Sequence, residues 1–159
     1  MSKRQFTHVS PEGKPQMVNV ADKNVTLRTA SAQAILIPGQ EILGHFRGKE
    51  IVTKKGPVFQ TAIIAGVMGA KKTSELIPFC HPLALEDCQI SIEVIDDQIV
   101  IVATTVVTGK TGVEMEALTA ATISALTVYD MCKALSHDII IGEIKLISKS
   151  GGKKDFKRA

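Results

Sequence analysis

Two ionisable side chains near the end of one long apolar stretch could move protons. Asp130 and Lys133 stand three residues apart in GKTGVEMEALTAATISALTVYDMCKAL, Gly109 to Leu135. On a helix such a pair can touch, and a carboxylate beside an ammonium makes an acid–base couple. The other charged residues of the stretch are Lys110, Glu114 and Glu116. A helix that is apolar nearly all round is a buried one. Charges within it are costly to desolvate unless paired or functional. On spacing alone, an ordinary surface ion pair explains Asp130 and Lys133 at least as well.

Three further groups suit anions or protons. Cys80 and His81 lie between Pro78 and Pro82 in LIPFCHP. Two prolines stiffen the backbone there, and a histidine can titrate near neutrality or meet an anionic group. A lone histidine is more often structural, and nothing in the sequence makes Cys80 a nucleophile. Lysines recur on loops, at Lys54-Lys55, Lys149 and Lys153-Lys154, where each can act as a point charge on phosphate. Gly109-Lys110-Thr111-Gly112 opens the long helix, and amides at a helix start suit phosphate or carboxylate. It is not a P-loop, because Thr104 stands where that pattern needs glycine. A plain turn and helix cap is the better reading of it.

These residues need elements to carry them. Val25–Ile37 alternates as a strand, with Val25, Leu27, Thr29, Ser31 and Gln33 on one side. Pro38-Gly39 ends it, and a short helix over Gln40–His45 follows. Lys54-Lys55-Gly56-Pro57 reads as a turn before a helix over Val58–Lys72, in which Gly66 and Gly69 would allow close packing. Cys88–Ile95 and Gln98–Thr108, separated by Asp96-Asp97, read as a hairpin. Ile139–Ser148 reads as the last strand. The order predicts an α+β fold: a ferredoxin-like antiparallel sheet with helices packed on one face. The expected division is a flexible N-terminal arm over 1–24, one domain over 25–148, and a Gly- and Lys-rich tail over 149–159.

The long helix sets one geometric limit. Glu116 and Asp130 lie about 40° apart in projection but about 21 Å apart along the axis. One small site cannot easily use both ends, so a site built from both would need two chains. A single sheet-and-helix layer pair also leaves little to cover an all-apolar helix, which points to a partner subunit.

Composition narrows the class. At 159 residues the chain can bury a real core. A net charge of +3 with dispersed Lys and Arg does not argue for nucleic acid. Met1–Ser10 is polar, with no sign of a signal peptide, and no run approaches a membrane span. Three widely spaced cysteines fit reduced thiols in the cytoplasm, and no CxxC or HxxxH spacing offers a metal site.

Several stretches together resemble one family. LIPFCHPL at 76–83, TGKTGVEMEALTAATISALTVYDMCKAL at 108–135 and KSGG at 149–152 are similar to the molybdenum cofactor biosynthesis protein C family, the cyclic pyranopterin monophosphate synthases. MVNVADK and KKGPVFQTAIIAGVMGAKK resemble that family too. The resemblance implies a lyase that converts 3′,8-cyclo-7,8-dihydro-GTP to cyclic pyranopterin monophosphate and pyrophosphate, without a redox cofactor or a metal. It implies a hexamer built as a trimer of dimers, with active sites at dimer interfaces. By motif, Asp130, Lys133 and Lys55 become the catalytic residues. Phe79, Cys80, His81, Glu114, Met115, Glu116 and Lys149 become the substrate-binding ones. Three departures stand out: Asn19 and Pro57 where acidic residues are usual, and a GGKKDF tail without the usual Ser-Gly insert. On the residues alone, a non-catalytic nucleotide- or anion-binding oligomer and an assembly subunit remain alternatives.

Overall fold

The computed structural model describes residues 9–10 and 12–159. The part of the expected arm at 1–8 and at 11 lies outside the described residues. A five-stranded, wholly antiparallel sheet forms one layer, in the order β5-β6-β1-β7-β8. β1 (Thr26–Ile37) is its centre, β6 (Gln98–Gly109) and β7 (Ile140–Ser150) flank it, and β5 (Asp87–Ile95) and β8 (Phe156–Lys157) form the edges. Two helices, α2 (Val58–Lys71) and α4 (Glu114–Cys132), cover one face. This is the α+β sandwich that the order of elements predicted.

Period-2 alternation decides which side of each strand faces the helices. Ala30, Ala32, Ala34 and Leu36 of β1 and Ile99, Ile101, Ala103 and Val107 of β6 point inward and are buried. The three alanines leave room for α4 to lie close over the centre of the sheet. Thr29, Ser31 and Gln33 take the opposite face, as read from the sequence, and Thr104 donates there to the Ser31 hydroxyl at 3.1 Å. The β5–β6 hairpin turns on Asp96 and Asp97, both at positive φ (48° and 61°). A two-residue turn of that kind matches the strand twist, and short polar side chains tolerate it.

α2 and α4 approach through small residues. A Cβ added at Gly66 would stand 2.2 Å from the Ser124 hydroxyl and 2.9 Å from the backbone oxygen of Ala120. Ser124 is fully buried and donates to the Ala62 carbonyl at 3.0 Å. At the start of α4, the buried Thr105 hydroxyl donates to the Val113 carbonyl at 3.1 Å, pinning the strand-to-helix connection.

The elements differ from the sequence reading in four places. α4 is shorter than its apolar stretch, because residues 110–113 form the bend that redirects the chain from β6. α1 (Gln40–Leu43) ends two residues early, where Gly44 caps it. A small second sheet of β2 (Phe46–Arg47), β3 (Glu50–Thr53) and β4 (Gly56–Pro57) flanks the Lys54-Lys55 turn, and α3 (Thr73–Leu76) follows α2. β7 runs on through Ser150, so Lys149 sits on a strand, and the tail returns as β8. Its turn needs Gly151, at φ 83°, where a Cβ would meet the Leu27 carbonyl at 1.9 Å.

Candidate active site

The N-terminal end of α4 gathers one set of residues around a cavity of about 510 Å³. The loop after α3 supplies Phe79, Cys80 and His81, the first turn of α4 supplies Glu114, Met115 and Glu116, and the end of β7 supplies Lys149. The seven substrate-binding residues expected from the family motifs therefore line one space. Val18, Val20 and Lys23 of the N-terminal segment close a further wall. His81 Nε2 lies 2.8 Å from the Val18 carbonyl. A carbonyl only accepts, so Nε2 carries the proton, and a neutral His81 keeps Nδ1 as an acceptor. Lys149 Nζ donates to Glu114 Oε1 at 2.7 Å.

A second cavity of about 200 Å³ adjoins the first and shares Lys23, Glu114, Lys149 and Lys153 with it. Arg28 and Lys110 bring the cations around it to five, against the single carboxylate of Glu114. That balance suits a polyanion. Lys110 Nζ also donates to the Ala21 carbonyl at 2.6 Å and ties the N-terminal segment to the bend before α4.

Asp130 lies at the other end of α4. Its Oδ2 accepts from Lys55 Nζ and its Oδ1 from Lys133 Nζ, both at 2.8 Å. Lys55 Nζ donates in addition to the Asp130 carbonyl at 2.9 Å. The three expected catalytic residues thus meet. A cavity of about 390 Å³ beside them is walled by His45, Val52, Met131 and Leu135. The structure does not bring this triplet to the N-terminal cavity within one chain. The fourteen residue steps from Glu116 to Asp130 along the helix span about 21 Å.

The MoaC family profile matches residues 17–152. The chain belongs to the MoaC family. It is 47% identical over 156 residues to the cyclic pyranopterin monophosphate synthase of Xanthomonas campestris, covering 98% of this chain and 94% of that protein. It is 52% identical over 171 residues to molybdenum cofactor biosynthesis protein 1 of Dictyostelium discoideum, covering 96% of this chain. The protein of the same name in Drosophila melanogaster is 47% identical over 156 residues. The chain spans only 27% of the length of each of these last two relatives.

The electrostatics of this MoaC-family site differ between its two clusters. Hydrogen bonds from Lys133 and then Lys55 hold the Asp130 carboxyl down at about 2, and Asp130 in turn raises the Lys133 ammonium. Asp130 therefore rests as a carboxylate and Lys133 as an ammonium, each stabilised in its charged form by the other. At 55%, 48% and 46% exposure, the side chains of Asp130, Lys55 and Lys133 stand open in the single chain. Glu116 is the opposite case. It is 4% exposed, and burial, followed by the charge of Glu114, pushes its carboxyl up to about 7 against backbone hydrogen bonding. Burial and then Glu116 raise the Cys80 thiol, which argues against a thiolate nucleophile.

Sequence reasoning did not single out Lys23 or Arg28. Arg28 is the one charged residue in β1, and that was the available signal. Lys23 carried none, because only the path of the N-terminal segment brings it to the cavity.

Proposed function

We propose that this MoaC-family chain is a cyclic pyranopterin monophosphate synthase acting in molybdenum cofactor biosynthesis. It would convert 3′,8-cyclo-7,8-dihydro-GTP to cyclic pyranopterin monophosphate with loss of pyrophosphate, as a phosphorus–oxygen lyase drawing on no redox cofactor. The observation that carries the reading is the join of a five-cation cavity to a cavity lined by the whole FCH, EME and Lys149 set.

The roles follow from the charges. Lys23, Arg28, Lys110, Lys149 and Lys153 meet the triphosphate. Their positive charge also stabilises the negative charge that develops as pyrophosphate leaves. Rearrangement of the purine-derived ring needs proton transfers, for which Asp130 accepts and Lys133 donates, with Lys55 orienting Asp130. His81 and Glu116 hold the body of the substrate.

Both clusters act on one substrate only if two chains meet. Exposed apolar side chains on the helical layer, Ile64 and Met68 on α2 and Leu126 on α4, support such a contact. The assembly in this reading is a hexamer of three dimers with active sites at the dimer interfaces. No helix among the described residues is long and apolar enough to cross a membrane, and the three cysteines are unpaired. The proposed setting is the cytoplasm.

Turnover of the cyclised GTP derivative by the purified protein, followed by product and pyrophosphate release, tests the reading. Asp130→Ala should lose turnover by at least about 100-fold while still binding the triphosphate. Tight binding with no product from the unmutated protein would instead support a non-catalytic anion-binding oligomer.

A further inference from the structure

We propose that Glu50 is a positioning residue for the Lys55–Asp130 end of the site, acting through the hairpin that carries Lys55. The inference rests on the catalytic reading of Lys55 and Asp130 given above. It begins at the start of α2. The N-cap residue there is Pro57, and no side chain from that position caps the helix. The first N–H groups of a helix have no partner within it and need one from elsewhere. Glu50 supplies it from across the small sheet. Its Oε1 accepts from the backbone N–H of Phe59 at 2.8 Å, and its Oε2 from that of Gln60 at 3.2 Å. Oε1 also accepts from Ile51 N–H at 2.8 Å. A carboxylate at this end of a helix is further favoured by the helix dipole.

The two bonds to α2 also tether the base of the β3–β4 hairpin. That hairpin has only two residue pairs, Val52 with Pro57 and Thr53 with Gly56, closed by the Lys54-Lys55 turn. Two pairs do not hold a hairpin in water without outside support. Pairing with β2 and the buried Ile51 support β3, and two side-chain contacts add to this: Lys55 on Asp130 at the tip, and Glu50 on α2 at the base. The charge of Glu50 also adds to burial in pushing the buried Cys132 thiol up to about 11. It is not among the residues walling the cavity beside Lys55. Its influence on Lys55 therefore runs through the backbone of β3.

Capping and tethering can be separated, because Pro57→Asp would offer a local cap to the same Phe59 and Gln60 N–H groups without tying β3 to the helix. Steady-state kinetics and thermal unfolding are measured for Glu50→Ala, Glu50→Gln and the Glu50→Ala/Pro57→Asp double variant. Glu50→Ala should lower kcat by on the order of 10- to 100-fold, the scale of a small misplacement of a reacting group. Its KM should change little, since the cationic cavity at the far end of α4 is untouched. The double variant should regain thermal stability but not kcat. Glu50→Gln keeps Oε1 and should keep most of kcat, so a Glu50→Ala chain that fails to fold still leaves a decisive pair. Full recovery of kcat in the double variant, or an unchanged kcat in Glu50→Ala, overturns the proposal. Lys55→Ala and Asp130→Ala serve as companions. If they abolish turnover while Glu50→Ala does not, only the positioning role falls. If they retain full turnover, the catalytic reading falls and takes the positioning role with it.

Discussion

Glu116 has the carboxyl whose titration bears most directly on stability. Burial holds its proton to about pH 7, whereas an unfolded chain releases it near the ordinary 4.5. Between those values the folded state binds more protons, so stability falls as pH rises through the window. Glu116→Gln removes that dependence. The variant should be more stable than the parent at pH 8 by on the order of 2 kcal/mol, with little difference at pH 4. Urea unfolding at the two pH values checks this, and an equal gain at both would show that the charge is not the cause. Asp130 behaves in the reverse sense, since its depressed carboxyl stays ionised down to about pH 2. At this scale the sequence was most legible where a motif names a residue. The seven cavity residues and the Lys55–Asp130–Lys133 triplet each meet as groups. It was least legible where only distant chain paths make neighbours, as with Lys23 at the cavity and Glu50 on the first turn of α2.

Among the elements, the crossing of α2 and α4 is held by its small residues. Gly66→Ala would force a methyl group against Ser124 and the backbone of Ala120. Backbone cannot yield as a flexible side chain does, so a loss of about 2–4 kcal/mol is expected. Denaturant unfolding measures it, and a loss below about 0.5 kcal/mol would mean that the helices separate easily. The long strands and the Asp96-Asp97 hairpin were readable because their alternation repeats over many residues, and both large helices because they are long runs of helix-forming residues without proline. β2, β4 and β8 are two residues each, too short to show any period, and they exist through tertiary support. The one reading that departed in kind concerned Lys149, expected in the tail. The strand carries it because pairing with β1 continues through Ser150.

For the whole molecule, the decisive quantity is the length of α4. Nineteen residues make a rod of about 28 Å with one proposed functional cluster at each end. If active sites join the far end of one chain to the near end of another, two inactive variants can repair each other. Chains carrying Asp130→Ala and chains carrying Lys149→Ala, co-expressed and assorting at random, should recover about a quarter of parental turnover. No recovery in verified mixed oligomers would place both clusters in separate functions.

The central position of β1 has a consequence for how the chain is made. Within the five-stranded sheet β1 is made first, yet its neighbours β6 and β7 come much later. Thr26 waits for Gly109 on one edge, and Thr29 waits for Ser150 on the other. At roughly 5–20 residues per second, the second wait lasts several seconds or more. During it β1 presents unpaired edges, the condition that favours aggregation and slow folding. Lys149 reaches the cavity only when the β7 edge closes, so binding competence should follow that closure rather than precede it.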